Sequence, residues 1–361
     1  MEPEEIEDNP SLAEGLKKQT DLSQLKVLVE QVADLKETYP GLLGGQPTQI
    51  AFKNESSYAV GTYDKGLIII QDGEEVLRSE LNAPDNQILE IQYCQVLDCY
   101  FLNIKCRLFK KDINEEPPYP FLGLWCPFEY SKSIRISNKN KRMLVKAGGK
   151  KLAVVNLLRN QVEAYISPGT ILKCFEIFGK NENRLLYLRG SRSIALYNLN
   201  LKQIKVISKC SYRCGGGRES CTFIAVDPKN HFVCVELGIL APNVCSRVML
   251  FKIGPNSLAV MGSIYPFHEG HNIGWKSAFT GVGQINREIV FLGLSMADED
   301  KLVQVYRYGS KPDADKLQFE EVEGCRVSHQ EMDPTSFQKV GDYFYYTGYH
   351  AKIMRVKIGF E

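Results

Sequence analysis

The sequence predicts an all-β fold, a seven-bladed β-propeller, and three observations support this prediction. One short strand pattern recurs seven times, other strand-like runs precede each copy, and turn residues separate the runs. The chain has 361 residues, of which 44% are hydrophobic and 24% charged, as is typical of an ordinary globular protein. We expect the propeller to span residues 47–361, after an acidic tail and a helix within residues 1–46.

The recurring unit is a Lys or Arg followed by alternating apolar residues. Its first apolar positions are Leu67, Leu108, Leu152, Ile194, Val248, Leu302 and Ile353. Intervals of 41 to 54 residues separate these positions, which is close to the period of a propeller blade. An irregular β-sandwich or two separate β-domains would not repeat one hairpin seven times at this period.

The basic residue at the start of each copy has a geometric meaning. The seven residues are Lys65, Arg107, Lys151, Arg192, Arg247, Lys301 and Lys352. If the copies are the third strands of their blades, these residues lie on one rim, beside the loops between second and third strands. Lysine at strand edges also discourages aggregation, which is the alternative explanation.

In period and strand pattern the repeat resembles the WD40-repeat family, over residues 48–361. The family's Gly-His and Trp-Asp dipeptides do not recur from copy to copy, and neither Trp125 nor Trp275 adjoins an Asp. The resemblance implies the blade architecture, a rim that binds partners, and a last blade closed by an N-terminal strand.

The segment upstream of the first blade has two interpretations. Residues 25–29 are the one good candidate for a closing strand. However, apolar residues from Leu25 to Leu35 recur at helical spacing, and Thr20 or Asp21 would cap such a helix. We therefore predict a helix over residues 21–37, which leaves the seventh blade with three strands.

Charge is distributed unevenly along the chain. The segment from Lys132 to Arg218 holds 19 Lys and Arg against three Glu, a net charge of +16, and because the whole chain carries +1 the remainder carries −15. A positive field attracts phosphates or acidic protein segments. We predict an anion-binding face on blades three and four, although scattered solvated lysines would give the same count. Its candidate residues are Lys139, Lys141, Arg142, Lys146, Lys150, Lys151, Arg189, Arg192, Arg213 and Arg218.

Other motifs lack the residues or the spacing that a catalytic or metal site needs. Cys210, Cys214 and Cys221 lack a fourth zinc ligand, and His268 and His271 flank a glycine in an expected loop. The segment 188–192 is only distantly similar to the arginine motif of phosphoinositide-binding propellers. Acids for a channel enzyme are scattered: Glu90, Glu176 and Asp333. The sequence predicts no catalytic residue, metal or cofactor.

The function expected from these observations is non-enzymatic. We predict an interaction scaffold within a larger assembly that binds a protein with an acidic surface or tail, with nucleic acid or a phosphoinositide membrane as the alternative. The sequence shows no transmembrane segment and no secretory signal, and its eleven cysteines form no paired framework. We therefore expect an intracellular protein, in the cytoplasm or alternatively in the nucleus.

Overall fold

The structure is a computed structural model. It describes residues 25–38, 47–62, 66–79, 87–113, 118–127, 133–148, 150–167, 172–189, 193–199, 205–211, 219–226, 232–239, 247–255, 257–264, 278–285, 288–294, 302–309, 318–328, 336–348 and 350–360. In parts of these ranges only the backbone is described.

The described strands form seven four-stranded antiparallel sheets. Sheet 7 takes its outer strand from the N-terminal side, β1 (Leu25–Asp34), which the short helix α1 (Leu35–Thr38) follows. Sheet 1 contains β2 (Pro47–Phe52), β3 (Tyr58–Thr62), β4 (Leu67–Gln71) and β5 (Glu74–Ser79). Sheet 2 contains β6 (Ile88–Cys94), β7 (Cys99–Ile104), β8 (Arg107–Asp112) and β9 (Tyr119–Trp125). Sheet 3 contains β10 (Ile134–Ser137), β11 (Arg142–Lys146), β12 (Leu152–Asn156) and β13 (Gln161–Ile166).

The remaining sheets follow the same order. Sheet 4 contains β14 (Leu172–Phe178), β15 (Arg184–Arg189), β16 (Ser193–Asn198) and β17 (Lys205–Ser211). Sheet 5 contains β18 (Glu219–Val226), β19 (Phe232–Ile239), β20 (Arg247–Ile253) and β21 (Leu258–Ile264). Sheet 6 contains β22 (Ala278–Ile285), β23 (Glu288–Leu294), β24 (Leu302–Gly309) and β25 (Gln318–Ser328). Sheet 7 is completed by β26 (Ser336–Val340), β27 (Tyr343–Thr347) and β28 (Lys352–Phe360).

The chain is an all-β, propeller-like protein, and the repeated strands hold the position that the sequence predicts. Each is the third strand of its sheet: β4, β8, β12, β16, β20, β24 and β28. Their starts therefore share one edge of the molecule. We call this edge, where second strands turn into third strands, the upper rim. The opposite edge, where first strands turn into second strands, is the lower rim.

Apolar side chains pack between neighbouring sheets. Five such cores are made of described side chains, at the junctions 1/2, 2/3, 3/4, 6/7 and 7/1. Successive strand residues face opposite sides, so Tyr345 packs in the core against sheet 1 while Tyr346 packs in the core against sheet 6. Full burial of one large apolar side chain contributes roughly 1.5–3 kcal/mol, so each of these cores stabilises the contact between two neighbouring sheets.

The helix predicted for residues 21–37 is wrong over residues 25–34, which form β1. This strand pairs antiparallel with β28, from Leu25 opposite Phe360 to Asp34 opposite Lys352. Leu25 is buried in the core between sheets 6 and 7, and Leu28 is 50% exposed. A short apolar run fits both strand spacing and helical spacing. Residues 25–34 form a strand because the backbone groups at the open edge of β28 need hydrogen-bond partners.

A bulge between Gln31 and Ala33 adapts the end of β1. The extra residue reverses the side that later residues face. Ala33 and the buried Leu35 therefore pack into the core between sheets 7 and 1. The helical α1 is one turn long, from Leu35 to Thr38, and the Lys36 and Glu37 amides donate to Asp34 Oδ1.

Candidate interaction surface

The predicted basic residues of sheet 3 lie on two opposite rims. Arg142 begins β11 and pairs with Asn156, whereas Lys146 ends β11 and pairs with Leu152. These positions are four residues apart along the strand, a distance of about 13 Å. The six candidates from 139 to 151 are therefore two groups: Lys139, Lys141 and Arg142 on the lower rim, and Lys146, Lys150 and Lys151 on the upper rim.

The lower-rim group is largely engaged in contacts with acidic or carbonyl groups. Lys139 donates from Nζ to the Lys180 carbonyl at 2.6 Å and from its backbone amide to Glu182 Oε2 at 3.0 Å. These bonds join the β10–β11 turn of sheet 3 to the β14–β15 turn of sheet 4. Such contacts connect neighbouring sheets and leave Lys139 poorly placed to receive an external anion.

Arg142 forms an ion pair with Glu163, at 2.8 Å between Nε and Oε2. Burial by itself raises the pKa of Glu163, but hydrogen bonds from Asn156 and Arg142 outweigh it and hold the pKa below its ordinary value. The carboxylate thus stays charged and neutralises Arg142. Besides Lys139, the exposed cations on this rim of sheet 3 among the described residues are Lys141 and Arg159.

The upper-rim group is more open. Lys150 and Lys151 are exposed, and Lys151 Nζ lies 5.8 Å from the ring centroid of Tyr165. Tyr165 is itself 54% exposed. Lys146 differs from both lysines, because it is buried, at 2% exposure. Two cations and one aromatic ring are therefore presented to solvent at the top of sheet 3.

The other predicted binding residues add little to either group. Arg189 ends β15, but its side chain lies outside the described part of the structure, as do Arg192, Arg213 and Arg218. Of the seven basic residues that begin the repeats, Arg107 and Lys151 are exposed and Lys352 is half-buried. The side chains of Lys65, Arg192, Arg247 and Lys301 are not described.

Trp125 is a surface residue that sequence reasoning missed. It ends β9 beside Arg107 in the ladder, and 58% of it is exposed. Leu122 and Gly123 both have positive φ, near 57° and 58°, and form an irregularity in β9. Strict alternation from the buried Phe121 would place Trp125 inside; the irregularity instead buries Leu124 and turns Trp125 outward.

Trp125 is fixed against the upper-rim loop of sheet 3. Its carbonyl accepts a hydrogen bond from the Gly148 amide at 3.1 Å, and the loop is closed by a bond from the Ala147 amide to the Lys151 carbonyl at 2.8 Å. Arg107, Trp125, Gly148, Lys151 and Tyr165 therefore follow one another along the rim. We call this row, together with Lys150, the upper-rim surface of sheets 2 and 3.

A second polar cluster lies on the inner strands, where the Glu90 side chain is fully buried and that of Glu176 is 24% exposed. Glu90 of β6 has no exposed surface, and its Oε2 accepts from the Ser133 amide, the Ser133 hydroxyl at 2.7 Å and the Ile134 amide at 3.1 Å. Arg135 of β10 donates to Glu90 Oε1 at 3.4 Å and to Glu176 Oε2 of β14 at 2.7 Å. One arginine thus links the inner strands of sheets 2, 3 and 4.

The same junction holds a buried amide and thiol. Asn103 Nδ2 donates to the Cys126 carbonyl at 2.9 Å and to the Ser133 hydroxyl at 2.8 Å. Burial raises the pKa of the Cys126 thiol to about 12, so it remains protonated at neutral pH. A protonated, enclosed thiol is a poor nucleophile. We therefore interpret this cluster as structural.

The remaining motifs of the sequence are largely outside the described side chains. This applies to Cys210, Cys214, Cys221, His268, His271 and Asp333. Within the described part of the chain, no group of three or more His, Cys, Asp or Glu is arranged to hold a metal. None of its helices is long and apolar enough to cross a membrane.

Comparison with known proteins identifies a fold and no family. No protein-family model matches the chain, and no curated protein matches its sequence. BamB from Moraxella catarrhalis matches in structure with a TM-score of 0.54, over 86% of this chain and 85% of that chain, at 12% identity. A chain of the S. cerevisiae complex of Dbp5 with Nup159, Gle1, IP6 and ADP matches with a TM-score of 0.60, over 94% and 96%, at 12% identity. Such low identities support a shared β-propeller fold alone.

Proposed function

We propose that the seven sheets are the blades of one closed, WD40-like ring, and that this ring is a non-enzymatic platform for protein interactions within a larger assembly. Contacts between neighbouring sheets support the ring, including β2 with β6, β14 with β18, β18 with β22 and β1 with β25. Fold alone does not define a function, so we base the proposed function on the residues exposed at the surface.

The observation that carries the proposal is the upper-rim surface of sheets 2 and 3. It presents exposed Arg107, Lys150 and Lys151 next to exposed Trp125 and Tyr165. Aromatic residues and arginine are enriched where proteins bind one another, and complementary charge speeds association and selects the partner. We therefore place the anionic partner on blades 2 and 3, one blade earlier than the sequence prediction.

A non-enzymatic role agrees with the state of the inner-strand carboxylates. A general acid or base must reach the proton that it moves. Glu90 is enclosed and accepts hydrogen bonds from Ser133, Ile134 and Arg135, while Glu176 is ion-paired with Arg135. These two acids, the best candidates for a channel enzyme among the described residues, are used to join blades. The setting that we propose is intracellular, in the cytoplasm or nucleus.

The test is affinity purification of the intact chain from its native source, followed by mass spectrometry. We compare the wild type with Lys150→Glu/Lys151→Glu and with a matched control, Lys141→Glu/Arg159→Glu. Both pairs reverse two exposed charges, on opposite rims of one sheet. We expect partner recovery to fall by about tenfold or more in the upper-rim variant, which corresponds to about 1.4 kcal/mol of binding free energy.

The control variant should keep the partners at wild-type levels. Full recovery with the upper-rim variant would contradict the proposed surface. Equal loss with both variants would show that net charge matters and that position does not.

Nucleic acid is the second candidate, because exposed aromatic rings beside cations also suit single-stranded bases and phosphates. Tyr165 next to Lys151 is the specific observation in its favour. Binding of this kind weakens steeply with salt, roughly one log unit in affinity per log unit of salt for each phosphate neutralised. A salt titration of any complex recovered in the purification therefore separates the two functions.

A further inference from the structure

The environment of Trp125 suggests what the upper-rim surface binds. An indole ring with 58% of the residue exposed is unusual, since tryptophans are mostly buried. The irregularity of β9 that exposes Trp125 also buries its neighbours Phe121 and Leu124, at 5% and 8% exposure. The backbone of Trp125 is therefore held by a packed strand and by the bond from the Gly148 amide to its carbonyl, and the side chain faces solvent.

Gly148 leaves one part of this ring uncovered. A Cβ atom built on Gly148 would lie 3.8 Å from Cε3 and Cζ3 of Trp125, and no other described heavy atom outside its chain neighbours comes within 4 Å of it. The loop backbone thus passes beside the indole without placing a side chain on it. A group of methyl size or larger from a ligand would make van der Waals contact with the ring there.

We call the uncovered part of the Trp125 ring beside Gly148 the notch. Cations lie on both sides of this notch. Arg107 precedes it as the ladder partner of Trp125, and Lys150 and Lys151 follow it in the loop. Tyr165 extends the row beyond Lys151 and offers a second exposed ring. The arrangement is one apolar contact point with positive charge on either side.

We propose that this notch is a peptide-binding site, in which Trp125 contacts an apolar side chain of an acidic protein segment while Arg107, Lys150 and Lys151 attract the flanking carboxylates. The inference rests on the proposed function and names its partner chemistry. A buried aromatic contact supplies affinity and the charges supply orientation and rate.

Charge distribution favours a short acidic segment over a long polyanion. Residues 132–218 carry +16, but the rest of the chain carries −15. This positive segment supplies sheets 3 and 4, so a nucleic acid that followed the rim further would pass sheets from the acidic remainder of the chain. A short acidic peptide at the junction of sheets 2 and 3 needs only the positive edge formed by Lys150 and Lys151, together with Arg107.

The experiment measures binding of two fluorescein-labelled peptides to the purified full chain by anisotropy. Both are short Glu/Asp peptides; one has a central Phe and the other has Ser at that position. We expect the Phe peptide to bind more tightly, and Trp125→Ala to weaken it by about thirtyfold, the loss of a strong contact residue. Lys150→Glu/Lys151→Glu should weaken both peptides, and Lys141→Glu/Arg159→Glu should weaken neither.

Intrinsic fluorescence gives a second readout that a loss of folding would not mimic. The Phe peptide should shift the wild-type emission to shorter wavelength as the exposed indole becomes covered. Trp125→Phe should abolish this shift and retain binding, which assigns the signal to Trp125 instead of Trp275. Far-ultraviolet circular dichroism checks that each variant is folded.

The outcomes separate this inference from the proposed function. Equal binding of the two peptides, or binding unaffected by Trp125→Ala, overturns the notch while leaving an anionic-partner surface intact. Tighter binding of oligodeoxythymidylate than of the Phe peptide overturns the peptide assignment in favour of nucleic acid, and absence of binding by either peptide also overturns it. The proposed function as an interaction platform is tested separately, by the partner purification.

Discussion

The Glu90 carboxylate of β6 accepts a hydrogen bond from the Ser133 hydroxyl at 2.7 Å, across the junction between sheets 2 and 3, and neither residue has exposed surface. Enclosed polar groups of this kind are costly unless they are fully paired. Here Asn103 Nδ2 donates to the Ser133 hydroxyl and Arg135 donates to Glu90, so both groups have further partners. The junction is therefore held by a polar network as well as by its apolar core.

The first prediction concerns this network. Glu90→Gln should lower the free energy of unfolding by about 3 kcal/mol. The amide leaves the Arg135 guanidinium without the Glu90 carboxylate charge, and it places an NH₂ group next to the hydrogen-bond donors of Ser133 and Ile134. Denaturant unfolding measures the change. Glu74→Gln, at an exposed position of β5, is the control and should change stability by less than about 0.5 kcal/mol. Equal effects of the two substitutions would contradict the network.

The second prediction distinguishes a strand from a helix at the N-terminal side. Leu25→Ala should lower the unfolding free energy by about 2–4 kcal/mol, because Leu25 is 3% exposed. Leu28→Ala should have little effect, because Leu28 is 50% exposed on the same strand. A helix with apolar spacing would bury both residues on one face. Comparable losses for the two variants would therefore disagree with β1.

The third prediction concerns a close approach of sheets 1 and 2. A Cβ on Gly61 of β3 would lie 2.6 Å from Ile88 Cγ2 and 2.7 Å from Ile91 Cδ1. Gly61→Ala should therefore cost about 1–3 kcal/mol by overpacking. Gly359→Ala is the matched control in a strand, since no described heavy atom lies within 4 Å of its Cβ position. Thermal unfolding of the two variants tests the difference, and a stable Gly61→Ala variant would argue against this packing.

The fourth prediction is a pH dependence on the lower rim. Hydrogen bonds from Lys53, at 2.8 Å, and from Tyr93, at 2.6 Å, hold the pKa of Asp98 below its ordinary value of 3.8. A depressed acid pKa stabilises the fold above the unfolded value and loses this contribution as pH falls through the folded value.

Asp98→Asn should therefore cost stability near neutral pH, and the difference from the wild type should shrink as pH falls below about 4 and vanish only below the depressed pKa of Asp98. The cost should stay under about 1 kcal/mol, because the Asp98 side chain is 58% exposed. Asp98 has a φ of 45°, which Asn tolerates well, so the substitution isolates the charge. Urea unfolding at several pH values measures the effect; a pH-independent difference would contradict it.

The repeat made the fold predictable. Third strands such as β12 and β28 carry an alternation that one sequence can show, and the basic residue before them marks the turn from the second strand. The N-terminal strand was not predictable in the same way, because Leu25, Val27 and Val29 fit strand spacing while Leu25, Leu28 and Val32 fit helical spacing. Its outcome depends on β28, which lies more than 300 residues away and offers an open edge.

The candidate surface was only half predictable. Charge counting along the chain included Lys150 and Lys151 among the candidates. It also grouped them with Lys139 and Arg142, because such a count does not show which end of β11 a residue lies at. Trp125 was missed because its exposure follows from the backbone at Leu122 and Gly123. The Gly123-Leu124-Trp125 segment carried a signal, since glycine within an apolar strand is typical of a bulge.

Hydrogen–deuterium exchange of the isolated complex with its native partner tests the central claim most directly. If the upper-rim surface of sheets 2 and 3 is the partner site, amides in segment 147–151 and around Trp125 should gain protection, while the lower-rim segments 138–141 and 157–160 stay unchanged. Protection confined to the lower rim, or absent from the upper-rim surface, would contradict the account.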